Sequence, residues 1–114
     1  MLTVAPALHS LIVHSRRDAA DILKFLFHGC GYLRKLILKY CLLGEDSTDL
    51  LGNIVALYPD LEVLSLEGCR ALTSDCYSLI AHLKKLSELN LSYTQVDYLY
   101  VRPLVPHVCI CEHT

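Results

Sequence analysis

Tryptophan is absent from this chain of 114 residues, and two phenylalanines stand against seven tyrosines. An excess of positive charge is absent too, since ten Lys and Arg meet twelve Asp and Glu for a formal net charge of −2. That removes the broad positive field on which nonspecific nucleic-acid binding depends, so no nucleic-acid partner is expected. No apolar run approaches the roughly 18 residues that cross a bilayer, so no membrane partner is expected either. Met1 to Ala7 carries no basic stretch ahead of its apolar residues, which argues against a secretory signal. No phosphate-binding loop, H-E-x-x-H or G-x-S-x-G occurs. Gly29-Cys30-Gly31 lacks the third glycine of a dinucleotide fingerprint and reads as the loop leaving a helix. At 54% hydrophobic and 19% charged the chain is too apolar for a disordered linker, and its length fits a single domain, 1–114.

Six cysteines are too few for a secreted disulfide scaffold of this length, and several sit among apolar neighbours, as in Tyr40-Cys41-Leu42-Leu43. Buried reduced thiols are the expectation, with a cytoplasmic or nuclear location.

Self-similarity at a fixed period dominates what is present. Leu33-x-x-Leu36-x-Leu38-x-x-Cys41, Leu61-x-x-Leu64-x-Leu66-x-x-Cys69 and Leu86-x-x-Leu89-x-Leu91-x-x-Thr94 share one pattern. Weaker versions flank them at Leu8-x-x-Leu11-x-Val13-x-x-Arg16 and Val105-x-x-Val108-x-Ile110-x-x-His113. The starts are 25, 28, 25 and 19 residues apart. In L-x-L the two leucines lie two apart, so in a strand they point to one face and the residue between them to the other. The first leucine enters through a bend, and the Cys or Thr turns inward to help satisfy turn backbone. One unit cannot bury its apolar face alone, whereas units stacked edge to edge can. Strands that all run the same way need crossovers, usually helical. The connecting segments supply them: Arg17 to His28, a helix capped at Ser47 or Thr48 and stopped by Pro59, and a helix capped at Thr73 or Ser74. The fourth connection, Gln95 to Leu104, has room for a turn or a single helical turn.

This spacing resembles the leucine-rich repeat, and Tyr58 to Thr73 looks like its cysteine-containing subtype, common in F-box and other cullin-ligase substrate receptors. The resemblance implies an α/β solenoid with about five parallel strands on a concave face and helices on the convex one. Strands are expected near 10–14, 35–39, 63–67, 88–92 and 107–111. As function it implies a non-enzymatic protein-interaction module that binds a protein or peptide on the concave sheet. The alternative it implies is the substrate-recognition part of a cullin-type ubiquitin ligase.

On such strands three columns face outward. They are Ile12, Ile37, Ser65, Asn90 and Cys109; Ser10, Lys35, Val63, Glu88 and His107; and His14, Lys39, Glu67, Ser92 and Cys111. Lys35, Ile37, Lys39, Ser65, Glu67, Glu88 and Asn90 are the expected partner contacts. Ile12 and Ile37 have no evident reason to face water and suggest contact with another molecule. The N-terminal edge from Met1 to Val4 is expected to dock on a partner or self-associate. Tyr93, Tyr98 and Tyr100 cluster on the fourth connection as possible aromatic anchors, while Tyr40, Tyr58 and Tyr77 are expected to pack between units.

The C-terminal His107-x-Cys109-x-Cys111-x-His113 holds zinc-type ligands and defines a third, remote reading as a metal-binding or thiol enzyme. Alternate residues of a strand lie about 6.6 Å apart, so four ligands on one straight strand cannot close around an ion. Cys76, early in a helix, has no recognisable partner base. No catalytic residue, metal ligand or cofactor is therefore assigned.

Overall fold

The computed structural model describes residues 9–15, 17–26, 32–41, 43, 47–70 and 72–111. Met1 to Leu8, Arg16 and His113, on which expectations about the end units and the N-terminal edge rest, and Gly29-Cys30-Gly31, expected as the loop leaving a helix, lie outside the described residues. Strands β1 (Ser10–His14), β2 (Lys35–Lys39), β3 (Val63–Ser65), β4 (Glu88–Asn90) and β5 (Cys109–Cys111) form one open sheet in sequence order. Every pairing is parallel. The crossovers are helices α1 (Ala19–Leu26), α2 (Ser47–Leu57), α3 (Ser74–Ile80) and α4 (Tyr98–Val101), the last continued by a 3-10 turn at Arg102–Leu104.

Register follows the sequence spacing. Leu11, Leu36, Leu64, Leu89 and Ile110 form one transverse row. Leu36, Leu38, Leu64, Leu66, Leu89 and Leu91 are all buried and join Leu23, Leu50, Leu51, Ile54 and Ile80 of the helices in one core. Strands β2, β3 and β4 are entered by the same bend. His9 O accepts from Arg34 N and Lys35 N, Arg34 O from Glu62 N and Val63 N, and Glu62 O from Ser87 N and Glu88 N. These shared carbonyls turn Leu33, Leu61 and Leu86 inward, where all three are buried.

The last residues of the three strong repeat units close the other end of β2, β3 and β4. Cys41 Sγ donates to Val13 O at 3.4 Å, and Cys69 Sγ to Leu38 O at 3.4 Å. At the third position Thr94 Oγ1 donates to Leu91 O at 2.6 Å. Burial pushes the Cys69 thiol up to about 11, and burial also raises the Tyr77 phenol to about 12. Both groups fold in their neutral forms, so the unfolded chain gives up these protons first as pH rises. Stability should hold up to the ordinary thiol range near pH about 8.5, then fall as pH climbs toward about 11 and 12. Urea unfolding at stepped alkaline pH measures this, and Cys69→Thr should shorten the decline.

Three expectations need correction. β3 and β4 stop at Ser65 and Asn90 rather than running to 67 and 92. Ser65 Oγ accepts from Glu67 N at 3.4 Å and Asn90 Oδ1 from Ser92 N at 2.9 Å. Such side-chain turns compete with the ladder, whereas Ile37 at the same place in β2 cannot make one, and β2 continues to Lys39. Ser92, expected outward, is fully buried past this turn, with Oγ donating to Cys111 O at 3.5 Å. β5 begins at Cys109, not at 107, and its register is shifted by two, so Cys109 pairs with Glu88 and Cys111 with Asn90. Val108 N donates to Val105 O, which closes a turn that keeps Val108 and His107 out of the strand.

Helix α2 starts at Ser47. Thr73 takes an extended N-cap backbone before α3 without capping through its side chain, because its hydroxyl meets Thr48 Oγ1 at 3.2 Å and Cys76 Sγ at 3.6 Å. Gly52 sits inside α2, where an added Cβ would meet only Leu79 Cδ1, at 4.0 Å. Gly52→Ala should therefore stabilise the fold by about 0.5–1 kcal/mol, seen as a rise in Tm by calorimetry.

Candidate binding face

The face of the sheet opposite the helices is built in rows across the strands. Ser10, Lys35, Val63, Glu88 and Cys109 make the first, and Ile12, Ile37, Ser65, Asn90 and Cys111 the second. His14 and Lys39 pair in the third, which Glu67 extends through an ion pair from Lys39 Nζ at 3.8 Å. A depression of about 180 Å³ opens on this face. Lys35, Ile37, Lys39, Ser65, Glu88 and Asn90 line it together with Val63 and Cys111. Glu67 is absent from the lining because the chain turns off the sheet after Ser65 and directs its carboxylate to Lys39.

Exposure grades along the second row. Ile12 is 62% exposed, Ile37 half-buried, and Ser65 only 4% exposed. Ser65 was expected as an open contact. It instead forms the floor, as a short side chain between Ile37 and Asn90 whose hydroxyl folds onto Glu67 N. The charge is polarised. Lys35 and Lys39 stand on β2, Glu88 on β4 and Glu67 just past β3. Neither Lys35 nor Glu88 has an ion pair among the described residues. The pairs Arg34–Glu62 at 3.7 Å and Lys85–Asp60 at 3.2 Å lie ahead of the strands and are exposed, so they add little stability.

A fourth row follows, which sequence reasoning missed. Ser15, Tyr40, Gly68 and Tyr93 all take left-handed backbone, with φ of 53°, 53°, 69° and 58°. They recur at 25, 28 and 25 residues, the spacing of the strands themselves. Their amides carry hydrogen bonds across the row: Ser15 N to Lys39 O, Tyr40 N to Glu67 O and Gly68 N to Ser92 O, each 2.8 Å. Tyr40 is half exposed rather than packed between units, because this backbone swings its ring out over Gly68. A Cβ at residue 68 would collide with that ring. The glycine thus lets Tyr40 lie beside Tyr93, centroids 6.3 Å apart and planes 29° apart, while His14 adds a tilted ring 6.3 Å from Tyr40. Left-handed backbone costs a residue with a Cβ roughly 1–2 kcal/mol. Partial desolvation, then the Glu67 carboxylate and the Tyr93 phenol, push the Tyr40 phenol above its usual range. The signal available in the sequence was Gly68 at a fixed place after the L-x-L pair, a place that needs positive φ in every unit.

Neither the family models nor the curated proteins compared with this chain match it. The chemistry of the face therefore rests on its own residues. Tyr58 and Tyr77 are buried, Tyr98 donates to Leu91 O at 3.0 Å, and Tyr100 meets Ser78 Oγ at 3.2 Å, so the fourth connection presents no joint tyrosine anchor with Tyr93. Cys109 and Cys111 are exposed free thiols, while Cys41, Cys69 and Cys76 are buried ones. No three His, Cys, Asp or Glu side chains converge on a metal position among the described residues. No helix among them is long and apolar enough to cross a membrane.

Proposed function

We propose that this chain is a short leucine-rich-repeat solenoid of the cysteine-containing type, and that it works as a non-enzymatic protein-interaction module. A protein or peptide segment lies across the open sheet face, over Ile37 and between the Lys35–Lys39 side and the Glu88–Asn90 side. The observation that carries this reading is the depression on that face, lined by registered side chains of four strands, with Ile37 and Val63 as its apolar part and opposite charges on its two flanks. Extended segments suit such a site, since alternate side chains of an extended segment point to one side and can meet the depression together. Five strands about 4.8 Å apart give a face some 19 Å across, enough for a peptide or one edge of a small domain.

Reversing the cationic flank tests the reading. The double variant Lys35→Glu, Lys39→Glu should keep its unfolding midpoint within about 1 kcal/mol, since both side chains sit on the surface. It should lose capture of any partner that the unaltered protein retains. Undiminished capture would move the binding surface to the helices or loops.

A further inference from the structure

The aromatic rim adjoins the depression and is chemically unlike it. Two bulky residues, Tyr40 and Tyr93, hold left-handed backbone, a conformation rare for side chains of that size. Ser15 and Gly68 occupy the same place in neighbouring units, so the turn itself does not require rings. The rings are half exposed and stack with their planes 29° apart, and Gly68, with no side chain, leaves room for the Tyr40 ring to lie against it beside Tyr93, so that the two rings make one aromatic shelf. Directly before Gly68 in the chain is Glu67, whose side chain is 18% exposed and whose one ion pair among the described residues is the 3.8 Å contact of Lys39 with Oε2. A π face beside an incompletely neutralised carboxylate attracts a cation. A planar guanidinium fits better than an ammonium, because it stacks on a ring while its fork of N–H donors meets a carboxylate.

We propose that the shelf of Tyr40 and Tyr93 receives an arginine of the partner segment, its guanidinium stacked on an exposed ring face and hydrogen-bonded to Glu67. This rests on the docking reading above and adds a chemical requirement to it. Arginine supplies the anchor at the rim, while the rest of the segment crosses Ile37 and brings an acidic side chain toward Lys35. Lys39 releases Glu67 as the guanidinium enters, giving up one 3.8 Å contact.

The test selects randomised displayed peptides on the full chain and resynthesises those recovered, with each arginine either kept or replaced by citrulline, which retains shape and loses charge. The expected result is one arginine common to the binders, with citrulline weakening Kd about tenfold or more. Glu67→Gln and Tyr93→Ala should each weaken the arginine peptide to a similar degree and leave the citrulline peptide unchanged. The citrulline comparison leaves the protein untouched, so it does not depend on any variant folding. Binders that need Ile37 but no arginine, or whose arginine is indifferent to Glu67→Gln and Tyr93→Ala, would overturn the shelf and leave the docking face standing. Binders indifferent to Ile37→Asp, or a selection that yields none, would overturn both.

Discussion

Leu64→Asp is expected to leave the chain unfolded at room temperature. Leu64 is the middle residue of the middle strand, 1% exposed, with Leu36 and Leu89 beside it in register and both fully buried. Truncating such a leucine costs about 2–5 kcal/mol. A carboxyl group with no partner adds roughly 1–3 kcal/mol more. Together these approach the whole stability of an ordinary domain, about 5–15 kcal/mol. Far-UV circular dichroism and urea titration check the result. A cooperative transition close to that of the unaltered protein would mean that residue 64 does not face the interior.

Ile37→Asp carries the second large effect, and it is of a different kind. Ile37 neighbours the buried Leu36 and Leu38 in sequence but points to the other face, half-buried on the β2 side of the depression. A carboxylate there stays in water, so the fold should change by no more than about 1 kcal/mol, mostly from strand preference. Binding should lose at least about 2 kcal/mol, as expected for an apolar anchor of the docking face. Calorimetric titration with a selected peptide, paired with urea unfolding of the same variant, separates the two quantities. An aspartate at 37 that unfolds the protein, or one that binds peptide as before, would each contradict this placement. The contrast between neighbouring strands follows from strand parity alone.

Parity and spacing were legible because they depend on only two facts about strands, alternation and pairing. The apolar pairs at 11/13, 36/38, 64/66 and 89/91 therefore locate the core and the register of β1 to β4 directly from the sequence. Strand ends were less legible. They depend on whether the middle residue can bond to its own backbone two residues on, which Ser65 and Asn90 do and Ile37 cannot. β5 slipped by two because a turn at Val105 to Val108 takes up the valine that the pattern assigns to the strand. Six of the seven expected contact residues line the depression. Among them Ser65 forms its floor, since burial of a short side chain depends on the size of its neighbours across the sheet. The rim at Tyr40 and Tyr93 was not legible from apolar periodicity, which carries no information about φ; Gly68 held the clue, and its meaning depends on alignment with residues 40 and 93.

The direction of the ribbons is the claim on which core, face and rim all stand, and through-space proton NMR reads it most directly. The methyl groups of Leu36, Leu64 and Leu89 should form one connected network that excludes Ile37, whose methyls should see the side chains of Ser65 and Ile12. Strong Hα–Hα cross-peaks between β2 and β3, the mark of opposed ribbons, would contradict the account.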